Sequence, residues 1–287
     1  VAHSLRTGIR HAIGLVVPDL TNPFFAEVAQ GVEDVANPLG WSVIIGTTGS
    51  NSEREAEYLD RLTSTSDGVI ISPSSGQALQ EWARDGLPLR AVLCEQVDVP
   101  GTASVICDNV EGGRLAAQFL AASGAKCPGL IVSSSTLSSI KDRRRGFRAG
   151  LKTAGLDLPT RCIVSTSSSI EDGFGPTLRL LESEPGVDAI FATSDLLAIG
   201  AMRALASVGR SVPDDVAVCG FDGIVWGEMV SPTLSSVVQD AYLVGSTAAK
   251  VLFSMVIEHE GPTSVVLPVH LAERGSARHL TSVGMAI

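Results

Sequence analysis

Long apolar runs, paired metal-binding cysteines and catalytic signatures are all missing from these 287 residues. No stretch reaches the roughly 18–20 apolar residues that a membrane-spanning helix needs. Nothing at the amino terminus reads as a signal peptide, so no membrane partner is expected. The five cysteines, Cys94, Cys107, Cys127, Cys162 and Cys219, include no CxxC pair, and an odd number cannot close a disulfide framework. Four lie in or beside apolar strand-like runs and are expected as buried, reduced thiols, which fits a cytoplasmic location. No Gly-x-Ser-x-Gly elbow, no GxxxxGK[ST] phosphate loop and no HExxH occurs. Gly173-x-Gly175 lacks the third glycine of a dinucleotide fingerprint and reads as a turn. The histidines (His3, His11, His259, His270 and His279) sit at the termini or late in the chain, away from the loops where strand ends build sites. These absences point away from an enzyme, and no cofactor or metal is expected.

What is present is core-forming material. Hydrophobic residues make up 45% and charged residues 18%, with a mean hydropathy of +0.28. The length suits one large domain or two lobes of roughly 120–150 residues each. A formal net charge of −10 and a pI near 5.0 make the bulk surface repel polyphosphate. The first dozen residues reverse that sign, carrying Arg6, Arg10, His3 and His11 with no acid.

Short β-branched runs bounded by Gly, Pro or Asp alternate with helical patterns, as in parallel βα units. Strands are expected at Ile13–Val17, Ser42–Ile45, Gly68–Ile71, Ala91–Cys94, Val105–Cys107, Leu130–Val132, Cys162–Val164, Ala189–Ala192 and Val216–Cys219, with a strand-like tail at Ser264–Val269. Their near-continuous hydrophobicity implies helices on both faces. Asn22-Pro23 sets an N-cap before a first-turn proline, and Phe25, Val28, Val32 and Val35 form the apolar stripe that follows. Further helices are expected at Ser52–Leu62, Val110–Ala122, Asp142–Ala154, Glu171–Leu181, Asp195–Ser207 and Ala241–Ile257. The first βα series stops at Ser123-Gly124-Ala125-Lys126. Two sheets plus a returning segment imply several crossings, and a hinged cleft is the natural result.

Ligands of doubly wound sheets bind at the carboxyl ends of the strands. There the sequence places Phe24 and Phe25, which can stack on a ring or equally fill the core. Glu95 follows the fourth strand and Asp108-Asn109 the fifth; Asp108 reads equally as a helix N-cap. Ser194-Asp195 and Asp222-Gly223 close two later strands. Lys141 through Arg145 read as a helix start, where positive charge opposes the macrodipole. At least one arginine there should have a partner, and an arginine facing several carboxylates can anchor a carboxylate or hydroxyl-rich ligand. Arg143→Ala is expected to abolish ligand binding while sparing the fold.

Read in order, IGLVVPDLTNPFFAEVAQGVE, SDGVIISP, VICDNVEGGRLAAQFL, RRRGFRAGL, AIFATSDLLAIGAMRALASVGRSVPDDVAVCGFDG and SPTLSSVVQD resemble the LacI/GalR family of bacterial transcription regulators over essentially the whole chain. The resemblance implies an α/β fold of two Rossmann-like lobes with parallel sheets, periplasmic-binding-protein-like type I, with three interlobe crossovers. It places them near Ser123-Gly124, Gln239-Asp240 and Gly261-Pro262. Residues 1–10 would be a remnant of the DNA-binding hinge helix. Residues 11–123 with 239–260 would form one lobe, 124–238 with 261–280 the other, and 281–287 a tail. It implies that Phe24, Phe25, Glu95, Asp108, Ser139, Arg143, Ser194 and Asp222 contact a small effector, a sugar or sugar derivative. Ser194 stands where many sugar-responsive members carry Asn, Gly223 where Asp is usual, and Ser168 near a pocket aromatic of some relatives; a roomier pocket or a different ligand is implied. Ala2, Leu5 and Arg6 match the minor-groove hinge, Leu5 as a wedge. A helix-turn-helix headpiece is not expected in this chain, so operator DNA would be met only through that missing headpiece and the hinge. A homodimer is implied. The competing expectation is an exported sugar-binding protein of an ABC transporter.

Overall fold

The computed structural model describes residues 10–73, 90–96 and 99–278. The hinge residues Ala2, Leu5 and Arg6 lie outside the described residues. Two compact units emerge, each with its own sheet. Unit 1 takes the chain up to Cys107, then Thr136–Ser139 and Asp240–Leu267; unit 2 takes Asp108–Ser135, Ile140–Gln239 and the chain from Pro268.

Unit 1 is built on β1 (Ala12–Val17), β2 (Ser42–Thr47), β3 (Gly68–Ile71), β4 (Arg90–Cys94), β5 (Ala103–Cys107) and β11 (Ser264–Leu267). They lie side by side as β11-β5-β4-β3-β1-β2, every pair parallel. β1 and β3 are buried throughout, as strands covered on both faces must be. α1 (Pro23–Ala36) starts where expected, with the Asn22 side chain accepting from the Phe24 N–H. Its buried stripe runs through Phe24, Val28, Val32 and Ala36 rather than Phe25 and Val35, which are only half-buried. α2 (Ser52–Thr65) is capped by Asn51.

Unit 2 carries β6 (Pro128–Ser133), β7 (Ile163–Thr166), β8 (Ala189–Ala192), β9 (Ala217–Asp222), β10 (Ser235–Val238) and β12 (His270–Ala272). Their order is β12-β10-β9-β8-β6-β7; β12 runs antiparallel to β10 and the rest are parallel. The sequence pattern misses β10 and β12. β10 opens on Ser235 and Ser236, both fully buried, so no apolar run announces it. Their hydroxyls are satisfied instead: Ser236 donates to Asp195, and Ser235 accepts from the Arg274 N–H.

The chain leaves unit 1 after Cys107 and not at Ser123, because α3 (Asn109–Ala122) packs on unit 2. Glycines allow this approach: a Cβ on Gly113 would sit 2.1 Å from the Arg143 carbonyl oxygen, and one on Gly146 1.9 Å from that of Val110. The last crossing likewise falls after Leu267 rather than at Gly261-Pro262, since β11 pairs with β5 in unit 1. α4 (Ser138–Thr153) begins four residues before its expected start. Its first N–H groups are satisfied from outside the helix, Ser138 N by Gln96 Oε1 at 2.9 Å and Ser139 N by the Glu95 carbonyl at 3.3 Å. Arg143, Arg144 and Arg145 are therefore past the first turn, and the macrodipole argument for them falls away. Gly173 is no turn either; it lies inside α5 (Ile170–Ser183), where a Cβ would meet the Leu197 carbonyl oxygen of α6 (Asp195–Ser207) at 2.3 Å. α7 (Trp226–Met229) is a single turn, and α8 (Ala241–Ile257) packs against α1 in unit 1. No described helix is long and apolar enough to cross a membrane.

Candidate functional site

A buried polar cluster in unit 2 gathers Asn109, Arg143, Thr193, Asp222 and Gln239. Arg143, in the second turn of α4, is only 2% exposed. Its Nε donates to Asn109 Oδ1 at 2.8 Å, and its Nη1 donates to the Thr193 carbonyl at 2.8 Å and to Asp222 Oδ1 at 3.2 Å. The guanidinium carbon stands 3.8 Å over the centre of the Phe221 ring, a cation–π contact strengthened by desolvation. Gln239 adds a second donor to Asp222 Oδ1, from Nε2 at 2.8 Å. A buried cation thus finds a counter-ion, two neutral acceptors and an aromatic face, which is what its burial requires.

One atom in this cluster is left over. Gln239 is 3% exposed, and its Oε1 is buried without a hydrogen-bond partner among the described residues. An orphaned acceptor beside a satisfied ion pair marks a place for a donor from outside the chain. The backbone there is also strained: Asp222, at the end of β9, holds φ at 112°, and Gly223 follows at 76°. A non-glycine residue at such an angle persists only where its surroundings over-determine it, and such residues cluster at ligand sites.

Of the residues expected from the sequence, the structure brings Arg143 and Asp222 together directly. Ser194 adjoins Thr193 but spends its hydroxyl as the N-cap of α6, accepting from Leu197 N at 3.4 Å. Asp108 is the N-cap of α3, accepting from Glu111 N at 2.9 Å; its neighbour Asn109 is the one that reaches Arg143. Ser133 and Ser168 share a 2.7 Å hydrogen bond beside the same strand ends.

The other four lie in unit 1. Phe24 is core, 4% exposed, and meets the half-buried Phe25 edge-on with ring centres 5.2 Å apart. Glu95 follows β4 with φ at 68° and accepts the Ser139 N–H through its carbonyl. Ser139 is buried, and its Oγ has no hydrogen-bond partner among the described residues.

Sequence reasoning placed Asn109 at a strand end without giving it a role in the site, and it missed Phe221 and Gln239. Gln239 had a readable signal: a polar residue wedged between a strand end and an N-cap, here Asp240, which accepts from Leu243 N. Among the described residues no group of three or more His, Cys, Asp or Glu is placed to hold a metal ion.

The family model described as periplasmic binding proteins and sugar binding domain of the LacI family matches residues 10–275. The chain belongs to this family. It is 33% identical over 276 residues to a ribose operon repressor of Halalkalibacterium halodurans, covering 93% of this chain and 81% of that protein. Among solved structures, a Burkholderia thailandensis protein described as a putative ribose operon repressor superposes with a TM-score of 0.84 at 31% identity, covering 92% and 99% of the two chains. A LacI-family regulator of Enterococcus faecium with bound ribose gives 0.82 at 29% identity, covering 94% and 100%. These relatives are transcriptional regulators, which favours a LacI-family regulator over a transport protein.

Proposed function

We propose that this chain is the effector-sensing core of a LacI-family repressor, and that its effector is a small sugar of the pentose class. The observation that carries the reading is the Oε1 of Gln239, buried and without a hydrogen-bond partner among the described residues, beside the Arg143–Asp222 pair. A sugar hydroxyl donates and accepts at once, so it can fill an orphaned acceptor while meeting a cation or carboxylate in the same small volume. Ribose is the first candidate because the ribose operon repressor and the ribose-bound regulator are among the relatives. Asn109, Arg143, Asp222 and Gln239 hold the hydroxyls in unit 2, with Asp108 and Ser194 beside them. Phe24, Phe25, Glu95 and Ser139 of unit 1 belong to the same proposal as further effector contacts, Phe25 as the ring-stacking member.

The output follows from linkage. The effector shifts the regulator between states only by its differential affinity for them, and the same coupling changes affinity for operator DNA. A homodimer whose hinge residues Ala2, Leu5 and Arg6 meet the operator completes the proposal.

The test is a thermal-shift and calorimetric titration with D-ribose, with D-xylose, D-arabinose and D-glucose alongside. Ribose at about one hundred times its Kd should stabilise the protein by about 2.7 kcal/mol and be recovered unchanged. Stabilisation by none of the pentoses would overturn the reading.

A further inference from the structure

Directly behind the Asp222 turn lies a second carboxylate that the effector reading does not use. Asp195 is the first residue of α6 and has no exposed surface. Its Oδ2 accepts from Ile224 N at 2.8 Å, and its Oδ1 accepts from Ser236 Oγ at 2.6 Å. Ser236 Oγ in turn accepts from Gly223 N at 3.2 Å. The carboxylate therefore ties both residues that follow Asp222, one directly and one through a hydroxyl. Room for it is reserved by β9, since a Cβ on Gly220 would lie 2.1 Å from Asp195 Oδ1.

The contrast with Asp222 is informative. Asp222 has a cation at 3.2 Å, whereas Asp195 makes no ion pair among the described residues and is held by neutral donors. The ionisable groups facing it are few. Cys219 on β9 is itself pushed up by burial and stays protonated. Arg274, past β12, acts on it only at a distance and is engaged with Glu228 at 2.7 Å. Asp222 opens the turn and is itself paired with Arg143 at 3.2 Å. A buried anion without a counter-ion is costly, so it must be held for something. What it holds is a turn whose strained Asp222 has to stay in place.

We infer that Asp195 is a positioning residue for the effector site: ionised, it pins the Asp222–Ile224 turn and holds the Asp222 carboxylate on Arg143 and Gln239; protonated, it loses an acceptor and the turn loosens. This rests on the reading of Asp222 as an effector contact. Burial, opposed by the hydrogen bonds from Ser236, Ile224 and Gly223 and by the Arg274 charge, pushes the Asp195 carboxyl up to about 7. The device thus works at ordinary pH.

The test begins on the ligand-free protein. The backbone amides of Gly223 and Ile224 and the Arg143 Nε–H are followed by nuclear magnetic resonance from pH 5.5 to 8.5. They should titrate together with a midpoint near 7, and Asp195→Asn should abolish that titration. Ser236→Ala, which removes a donor to the anion, should move the midpoint upward and serves if the asparagine variant does not fold. Turn amides that do not titrate, or that titrate unchanged in both variants, would overturn the inference. In a second arm, D-ribose affinity should weaken by up to about tenfold between pH 8 and pH 6 in the natural chain and stay level in Asp195→Asn. If ribose binds at no pH, the effector reading fails, while the amide titration still decides the role of Asp195.

Discussion

Gln239 gives its amide N–H to the Asp222 carboxylate at 2.8 Å, while its own carbonyl oxygen lies buried with no donor among the described residues. The two halves of one amide therefore point to two roles. Replacing Gln239 with Leu removes a hydrogen bond to a charged group, about 1.5–3 kcal/mol, and also an unsatisfied acceptor that costs about 1–3 kcal/mol. These nearly cancel in the ligand-free protein, so its melting temperature should move little. Sugar binding keeps no such compensation and should weaken at least tenfold by calorimetry. An unchanged Kd would remove Gln239 from the site.

Arg143 behaves differently because nothing cancels. Arg143→Ala leaves the Asp222 carboxylate, 7% exposed, without its cation, and breaking a buried pair costs about 3–5 kcal/mol. The expectation from sequence that this variant spares the fold is therefore revised: denaturant melts should show a clear loss in unit 2 as well as loss of binding. Arg143→Lys keeps the charge but cannot present a planar fork to Asn109, Thr193 and Asp222 together. It should recover part of the stability and little of the sugar affinity.

The sheets were legible from the sequence wherever a strand is apolar on both faces, as in β1, β3 and β8. They were hidden where buried positions are polar and satisfied from elsewhere, as Ser235 and Ser236 in β10. The candidate site divides in the same way. Arg143 and Asp222 stand out as charges next to apolar segments. Asn109 and Gln239 are neutral and earn their place through geometry that only the packed unit supplies. Residue pattern also could not assign α3: it follows a strand of unit 1, yet Gly112 and Gly113 fit it against Phe221 and the α4 backbone of unit 2.

That fit can be tested directly. A methyl group on Gly113 would lie 2.1 Å from the Arg143 carbonyl oxygen, and backbone cannot yield as a side-chain tip can. Gly113→Ala should cost at least the ~1–3 kcal/mol typical of overpacking and push α4, with Arg143 on it, out of position. Sugar affinity should fall along with the melting temperature. Gly186→Ala, where a Cβ meets nothing within 4 Å, is the control and should change neither.

The buried Asp195 also sets a pH dependence of stability. Its carboxyl, raised to about 7 mainly by burial, keeps its proton in the folded chain over a range where the unfolded chain has already released it. Below the ordinary aspartate pKa of about 3.9 both states are protonated, and above about 7 neither is. Between those limits the folded state binds more protons, so stability from this group is full at the acid end and is lost as pH rises through 7. Asp195→Asn removes the proton exchange and with it that slope. Chemical denaturation at pH 5, 6, 7 and 8 should show the natural chain losing stability relative to Asp195→Asn up to about pH 7, with the difference level beyond. A constant difference across all four would mean that Asp195 is ionised in the folded protein throughout.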